Sequence, residues 1–164
     1  LPKIFRLVKN GKLIEGLYEG ETLNTPSMFC VADALDSLLW IKDLGGLSET
    51  IRRSNENFEC LQGWVDRRPW IENLVSDPSN RSNTSVCLKF SDKRFVALNQ
   101  DQKNHFVKEF VGRLENENAA FDIKGHRNAP PGLRIWCGAT INLDDLQKLL
   151  PWLDWCFSET VLGY

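Results

Sequence analysis

A chain of 164 residues, 42% hydrophobic and 26% charged, has the length and composition of one globular domain, which excludes a disordered or fibrous protein. Its 20 basic and 22 acidic side chains are mixed along the sequence and leave a net charge of −2, so the basic footprint of a nucleic-acid binder is missing. No apolar run approaches the roughly 18 residues of a membrane-spanning helix. We therefore expect a cytoplasmic protein without nucleic-acid or membrane partners.

Cysteine usage and the first residue add two expectations. The five cysteines are scattered, odd in number and never in a CxxC pair, so we expect reduced thiols and neither a disulfide framework nor a metal site. The chain starts at Leu1 without a charged and then apolar leader, and we expect a piece of a longer chain.

The first predicted element is a β-hairpin within residues 1–22. Asn10-Gly11 separates two strand-like runs, and this dipeptide favours the positive φ angles of a type I′ turn. We expect residues 1–22 to form an arm that packs on something outside this chain, and residues 23–164 to form a small domain.

A helix with clear punctuation is predicted next. Thr25 suits the N-cap, Pro26 the first helical position, and Gly45-Gly46 ends the helix. Apolar residues at helical spacing predict one face, formed by Met28, Val31, Leu35, Leu38 and Leu39.

The rest of the chain alternates helices with short strands. Helices are predicted over about 47–67 and 100–118, and a last one begins after Asn142 as its cap. Strands are predicted in 70–75, 84–90, 120–125 and 132–139, where residues alternate or β-formers cluster. This order predicts an α+β fold in which helices pack on a small, largely antiparallel sheet.

Two groups of cations near the end of the chain are candidate anion ligands. Alternation sends Arg134 and Trp136 to one face of a strand. There the guanidinium either belongs to an exposed strand face or an internal ion pair, or it forms a fork for a carboxylate. His126 and Arg127 follow Gly125 and precede a stiff Pro-Pro-Gly turn. They belong either to a solvated loop or to a second anion clamp, and two clamps suit a small molecule with an acidic group at each end.

The stretch Asn24-Thr25 offers a third anion site. Free amides at a helix N-terminus, with the helix dipole, bind phosphate groups. The four-residue pattern "NTPS", residues 24–27, is also explained by a helix start alone.

Taken in order, these motifs resemble a known family. "NTPSMF", Gly45-Gly46, "NRSNTSVCLKF", "KGHR" and "GLRIW" together look like the C-terminal part of phosphoserine aminotransferases, over about residues 1–157. The chain departs from the common "RASIYN"-like segment after the arginine, where it reads "RIWCGAT", and "NAPPG" is a local variation.

The resemblance implies the small C-terminal domain of a homodimeric, fold-type I enzyme that uses pyridoxal 5′-phosphate. Such an enzyme transfers an amino group between O-phospho-L-serine and 2-oxoglutarate, giving 3-phosphooxypyruvate and L-glutamate, in serine biosynthesis and in many bacteria in a step towards vitamin B6. It implies that Asn24 and Thr25 bind the cofactor phosphate of the neighbouring subunit. His126 and Arg127 would hold the distal anion of the substrate, and Arg134 its α-carboxylate.

The same resemblance implies that residues 1–22 link to a large domain. That domain carries the lysine that binds the cofactor, so the 164-residue chain by itself is expected to be inactive and to bind no cofactor. Two alternatives remain open at this point. One is another aminotransferase of the same class, of the alanine or serine–glyoxylate type, and the other is a non-catalytic anion-binding or regulatory module.

Overall fold

The protein, described by a computed structural model over residues 6–22, 25 and 27–164, falls into two compact units, Leu1–Leu44 and Gly45–Tyr164. The division into an arm (1–22) and a domain (23–164) stays a prediction.

The first unit contains the predicted hairpin. Strands β1 (Val8–Lys9) and β2 (Lys12–Leu13) pair antiparallel, and a 3₁₀ turn follows at Glu15–Tyr18. Asn10 and Gly11 have φ angles of 51° and 75°, the positive values that a type I′ turn requires. The hairpin prediction is therefore confirmed.

Helix α1 (Met28–Leu44) begins later than the sequence predicted. The side-chain oxygen of Ser27 accepts a hydrogen bond from the Cys30 N–H at 3.4 Å, so Ser27 has the capping position and the prediction of Thr25 as the cap was wrong. Pro26 lies outside the described residues. The helix ends where predicted, before Gly45, whose φ of 121° a side chain would resist.

The apolar side chains of α1 are largely exposed. No residue of the helix is buried, and Met28 and Phe29 are 80% and 78% exposed. A helix with this many exposed large apolar side chains normally has a partner.

The second unit confirms the predicted α+β fold class. Within the described residues its helices are α2 (Gly46–Val65), α3 (Lys93–Ala97), α4 (Gln100–Asn116) and α5 (Leu143–Val161). Its strands β3 (Ile71–Asn73), β4 (Ser85–Phe90) and β5 (Gly132–Trp136) form one antiparallel sheet in sequence order. The short α3, capped by Asp92, was not predicted.

Two local predictions need correction. Residues 120–125 do not form a strand, because only an isolated bridge joins Lys124 to Leu133. Asn142 does occupy the N-cap position of α5 but makes no capping hydrogen bond. Its amide oxygen accepts instead from the Arg53 guanidinium at 2.8 Å, and its amide nitrogen donates to Asp145.

The core lies between one face of the sheet and helices α2, α4 and α5. Val86, Leu88 and Phe90 alternate inward on β4, as the sequence predicted. Trp70 stacks on Phe157 with ring centroids 4.1 Å apart, in an aromatic cluster that joins the sheet to the helices. This core fixes β5 and the loops at its two ends, which carry the candidate site.

Candidate functional site

Arg134 occupies the middle of the edge strand β5. Leu133, Ile135 and Cys137 are buried on one face, and Arg134 and Trp136 point to the other, as the alternation predicted. The Arg134 backbone N–H donates to the Ile123 carbonyl at 2.8 Å, which ties the strand to the preceding loop. The guanidinium is therefore presented from a rigid backbone and remains about 38% exposed.

Trp136 lies beside Arg134 on a groove of about 460 Å³. Its indole N–H donates to the Thr140 hydroxyl at 3.1 Å. A Cβ on Gly138 would lie 2.5 Å from the indole ring, so only glycine leaves room for the ring there. The indole is thus held in one place, although it is 52% exposed.

Asp122 supplies a counter-ion for Arg134. One guanidinium nitrogen of Arg134 donates to the Asp122 carboxylate at 3.1 Å, and the Asp122 side chain is 88% exposed. Both residues line the groove beside Trp136. The contact is a single hydrogen bond, not a two-pronged fork, and an exposed pair of this kind is weak.

His126 and Arg127 belong to a different concavity. The Gly125 N–H donates to the Gly132 carbonyl at 3.0 Å and closes a loop, within which the Ala129 N–H donates to the His126 carbonyl at 2.8 Å. His126 Nδ1 accepts from the Asn128 N–H at 3.2 Å. Both side chains line a concavity of about 360 Å³ against α4, with Pro130 and Pro131 on its rim.

The structure therefore pairs His126 with Arg127 and sets Arg134 apart. Backbone hydrogen bonds match Arg134 with Ile123 and Gly132 with Gly125. His126 follows Ile123, the residue matched with Arg134, by three positions. At about 3.3 Å per extended residue, this separates the backbone of His126 from that of Ile123 by roughly 10 Å along the strand direction. The two concavities follow each other along residues 119–136, and each is lined by at least one basic side chain.

Asn57 supports this region, and the sequence analysis did not identify it. It is 1% exposed on α2, and its amide nitrogen donates towards the carbonyls of Cys137, Gly138 and Ile141 at 3.3, 3.4 and 3.0 Å. These bonds fix the loop after β5 that holds Trp136. A polar residue in the apolar stripe of a helix was the only available signal.

The proposed phosphate ligands are only partly described. Thr25 is exposed and precedes α1, whereas Asn24 lies outside the described residues. The first turn of α1 carries no acidic side chain, which is compatible with an anion at that end.

Other reactive groups do not point to a second centre. Burial raises the pKa of the Cys137 thiol to about 12 and that of Cys156 to about 11, so both are neutral at pH 7. Cys30 is exposed, and Cys60 and Cys87 are partly buried. Across residues 6–22, 25 and 27–164, no cluster of His, Cys, Asp or Glu is arranged to hold a metal ion. In the same ranges, none of the helices has the length and hydropathy of a membrane span.

No family model matches the chain. Among curated proteins it is 45% identical over 157 residues to a phosphoserine aminotransferase of Methanosarcina mazei and 43% identical over 158 residues to that of Methanosarcina barkeri. Each match covers 96% of this chain but 40% of the relative, so the chain spans about two fifths of the length of the curated relatives it matches.

Solved structures give the same fold. A phosphoserine aminotransferase from Bacillus circulans subsp. alkalophilus has a TM-score of 0.68 at 21% identity, over 83% of this chain and 34% of its own. The pyridoxal-phosphate-bound phosphoserine aminotransferase from Trichomonas vaginalis has a TM-score of 0.69 at 20% identity, over 84% and 36%. The sequence matches and the shared fold together show that the chain is similar to a C-terminal portion of phosphoserine aminotransferases.

Proposed function

We propose that the chain is the C-terminal domain of a phosphoserine transaminase. The protein that contains it transfers an amino group between O-phospho-L-serine and 2-oxoglutarate, giving 3-phosphooxypyruvate and L-glutamate in serine biosynthesis. The observation that carries this proposal is the 43–45% identity over 96% of the chain to proteins named phosphoserine aminotransferase.

Within that reaction, Arg134 binds the α-carboxylate that both amino acids share. Its guanidinium stands on a rigid strand, and its single bond to an exposed Asp122 leaves donors for a carboxylate. His126 and Arg127 bind the distal anion, which is a phosphate in phosphoserine and a carboxylate in glutamate. Holding both ends fixes the α-carbon between them, and positioning of this kind lowers the barrier of the reaction.

The cofactor of the proposed enzyme is pyridoxal 5′-phosphate, which when bound supplies an electron sink for amino-group transfer. Thr25, together with Asn24, is proposed to hold its phosphate group. The donor set fits an anion, since Thr25 is exposed and α1 has no acidic residue in its first turn. The 164-residue chain on its own is expected to be inactive and to show no cofactor absorbance.

The proposed partners are a large domain of the same protein and a second subunit of a cytoplasmic homodimer. The exposed apolar side of α1 supports a protein partner, because side chains such as Met28, Phe29 and Leu38 are more than 60% exposed. A parallel role in pyridoxine biosynthesis belongs to the same proposal.

The test is steady-state kinetics on the full-length protein. Arg134→Ala should lower kcat/KM about 10²-fold for every amino-acid substrate, because a charge-assisted carboxylate contact is lost. Arg127→Ala should weaken phosphoserine and glutamate but spare an amino acid without a distal acid, such as alanine. Arg67→Ala is the matched control, since this exposed arginine at the end of α2 lies away from both concavities.

Equal losses for alanine and phosphoserine in Arg127→Ala would contradict the distal-anion role. If the full-length protein binds phosphoserine but shows no turnover with 2-oxoglutarate, the chain belongs to a non-catalytic binding module instead.

A further inference from the structure

Asp122 combines three features that bear on the proposed carboxylate site. It contacts the guanidinium of Arg134 at 3.1 Å, it is itself 88% exposed, and its backbone has a φ of 53°. A non-glycine residue in this left-handed region is uncommon, although Asp and Asn tolerate it best. The carboxylate is thus positioned next to a cation that the proposed function assigns to substrate.

Backbone contacts bring Asp122 and Arg134 together. Ile123, directly after Asp122, accepts the hydrogen bond of the Arg134 N–H at 2.8 Å, and Lys124 bridges to Leu133. These main-chain contacts fix the two residues after Asp122 opposite Arg134 and Leu133, and they therefore keep Asp122 close to the Arg134 side chain. Among the described residues, it is the only side chain with which the Arg134 side chain shares a hydrogen bond or an ion pair.

The bond uses one nitrogen of the fork and one oxygen of the carboxylate. An exposed, single-contact ion pair is weak, whereas an incoming carboxylate can accept two parallel hydrogen bonds from the same guanidinium. A substrate carboxylate has the same charge and acceptor geometry as the Asp122 side chain. The two groups therefore compete for one position.

We infer that Asp122 is an internal stand-in for the substrate α-carboxylate: it neutralises and orients Arg134 in the empty site and is displaced when substrate binds. This inference rests on the proposed function of Arg134 and adds a competing residue to it. Asp122 is a positioning residue that sets affinity. Substrate cannot bind to the fraction of Arg134 that is paired with Asp122, so the pairing lowers the apparent affinity for substrate by that fraction.

The test is Asp122→Asn in the full-length protein. Asparagine keeps the size of the side chain and tolerates the positive φ, but it lacks the charge. Removing the competitor should lower the KM about two- to fivefold for both phosphoserine and glutamate, because both carry the α-carboxylate, and kcat should stay within twofold of the wild type.

A matched variant separates competition from a general change of charge. Asp145 lines the same groove but contacts Asn142 and Lys148. Asp145→Asn removes the same charge from the groove without affecting the Arg134 pair, so it should lower the KM clearly less than Asp122→Asn does. Equal reductions in the two variants would overturn the inference.

Arg134→Ala distinguishes the two levels of the proposal. If Arg134→Ala abolishes substrate binding while Asp122→Asn leaves or raises the KM, the stand-in role is wrong and the proposed function stands. If Arg134→Ala leaves the KM of both amino acids unchanged, the proposed carboxylate site is wrong, and with it the inference. In the double variant Asp122→Asn/Arg134→Ala, the affinity gain of Asp122→Asn should disappear, and its persistence would also refute the competition.

Discussion

Arg68, Trp64 and Asp154 form a clamp between α2 and α5, and its hydrogen-bond distances predict how a substitution there changes stability. Just beyond the C-terminal end of α2, Arg68 donates from Nε and Nη2 to the two oxygens of Asp154 on α5, each at 2.7 Å. The Trp64 indole N–H donates to the same carboxylate at 3.1 Å. Arg68 also lies over the Trp64 ring, 5.6 Å from its centroid.

Asp154→Asn keeps the size of the side chain and removes its charge. One of the two arginine contacts then meets an amide N–H, and the other weakens to a bond with a neutral acceptor. Hydrogen bonds to charged groups contribute about 1.5–3 kcal/mol each when buried, and this pair is about one third exposed, so we expect a loss of about 2 kcal/mol in the free energy of unfolding at pH 7.

The effect has a defined pH dependence. Burial acts to raise the pKa of Asp154, but the hydrogen bonds from Arg68 and Trp64 outweigh it and hold the pKa below its ordinary value. A carboxylate with a depressed folded pKa stabilises the protein above its unfolded pKa of about 3.9 and loses that contribution as pH falls through the folded value. The difference between wild type and variant should therefore be full above about pH 4 and shrink below it.

Urea unfolding of the chain, followed by circular dichroism at pH 7 and at pH 3, measures both quantities. Glu159→Gln is the control, because this exposed acid lies on the same helix outside the clamp, and it should change stability by less than about 0.5 kcal/mol. A cost below that level at pH 7, or an equal cost at both pH values, would refute the reasoning.

Two further predictions concern the loop after β5. Gly138→Ala should displace the Trp136 indole, because the new Cβ would lie 2.5 Å from the ring. We expect an altered near-ultraviolet circular dichroism signal and weaker substrate binding by the full-length protein. An unchanged spectrum and an unchanged KM would contradict this. Asn57→Ala should lower the free energy of unfolding in urea by about 2 kcal/mol, since three buried or part-buried carbonyls lose their donor. Asn55→Ala, two residues away on the exposed side of the same helix, should cost less, and equal costs would argue against the buried network.

The sequence alone was sufficient to predict the elements whose conformation depends on their own residues. Asn10-Gly11 determines the hairpin turn, because few other dipeptides accept two positive φ angles. Alternation on β4 and β5 gave the buried face and sent Arg134 and Trp136 outward. Local sequence also carried the resemblance to phosphoserine aminotransferases, through motifs such as "NTPSMF", "KGHR" and "GLRIW".

Tertiary structure decided what depends on neighbours distant in sequence. The segment 120–125 has strand-like residues, but its partner strand offers only the Lys124–Leu133 bridge, so no strand forms. The Asn57 amide donates to three carbonyls about 80 residues away, and the Asp122–Arg134 pair exists only because main-chain contacts align the loop at 120–125 with strand β5. The sequence by itself determined which residues could bind anions, through their charge and local backbone. Which of them share a concavity, and which already have a counter-ion, depends on packing between segments, because ion pairs form through space and leave no periodic signal in the chain.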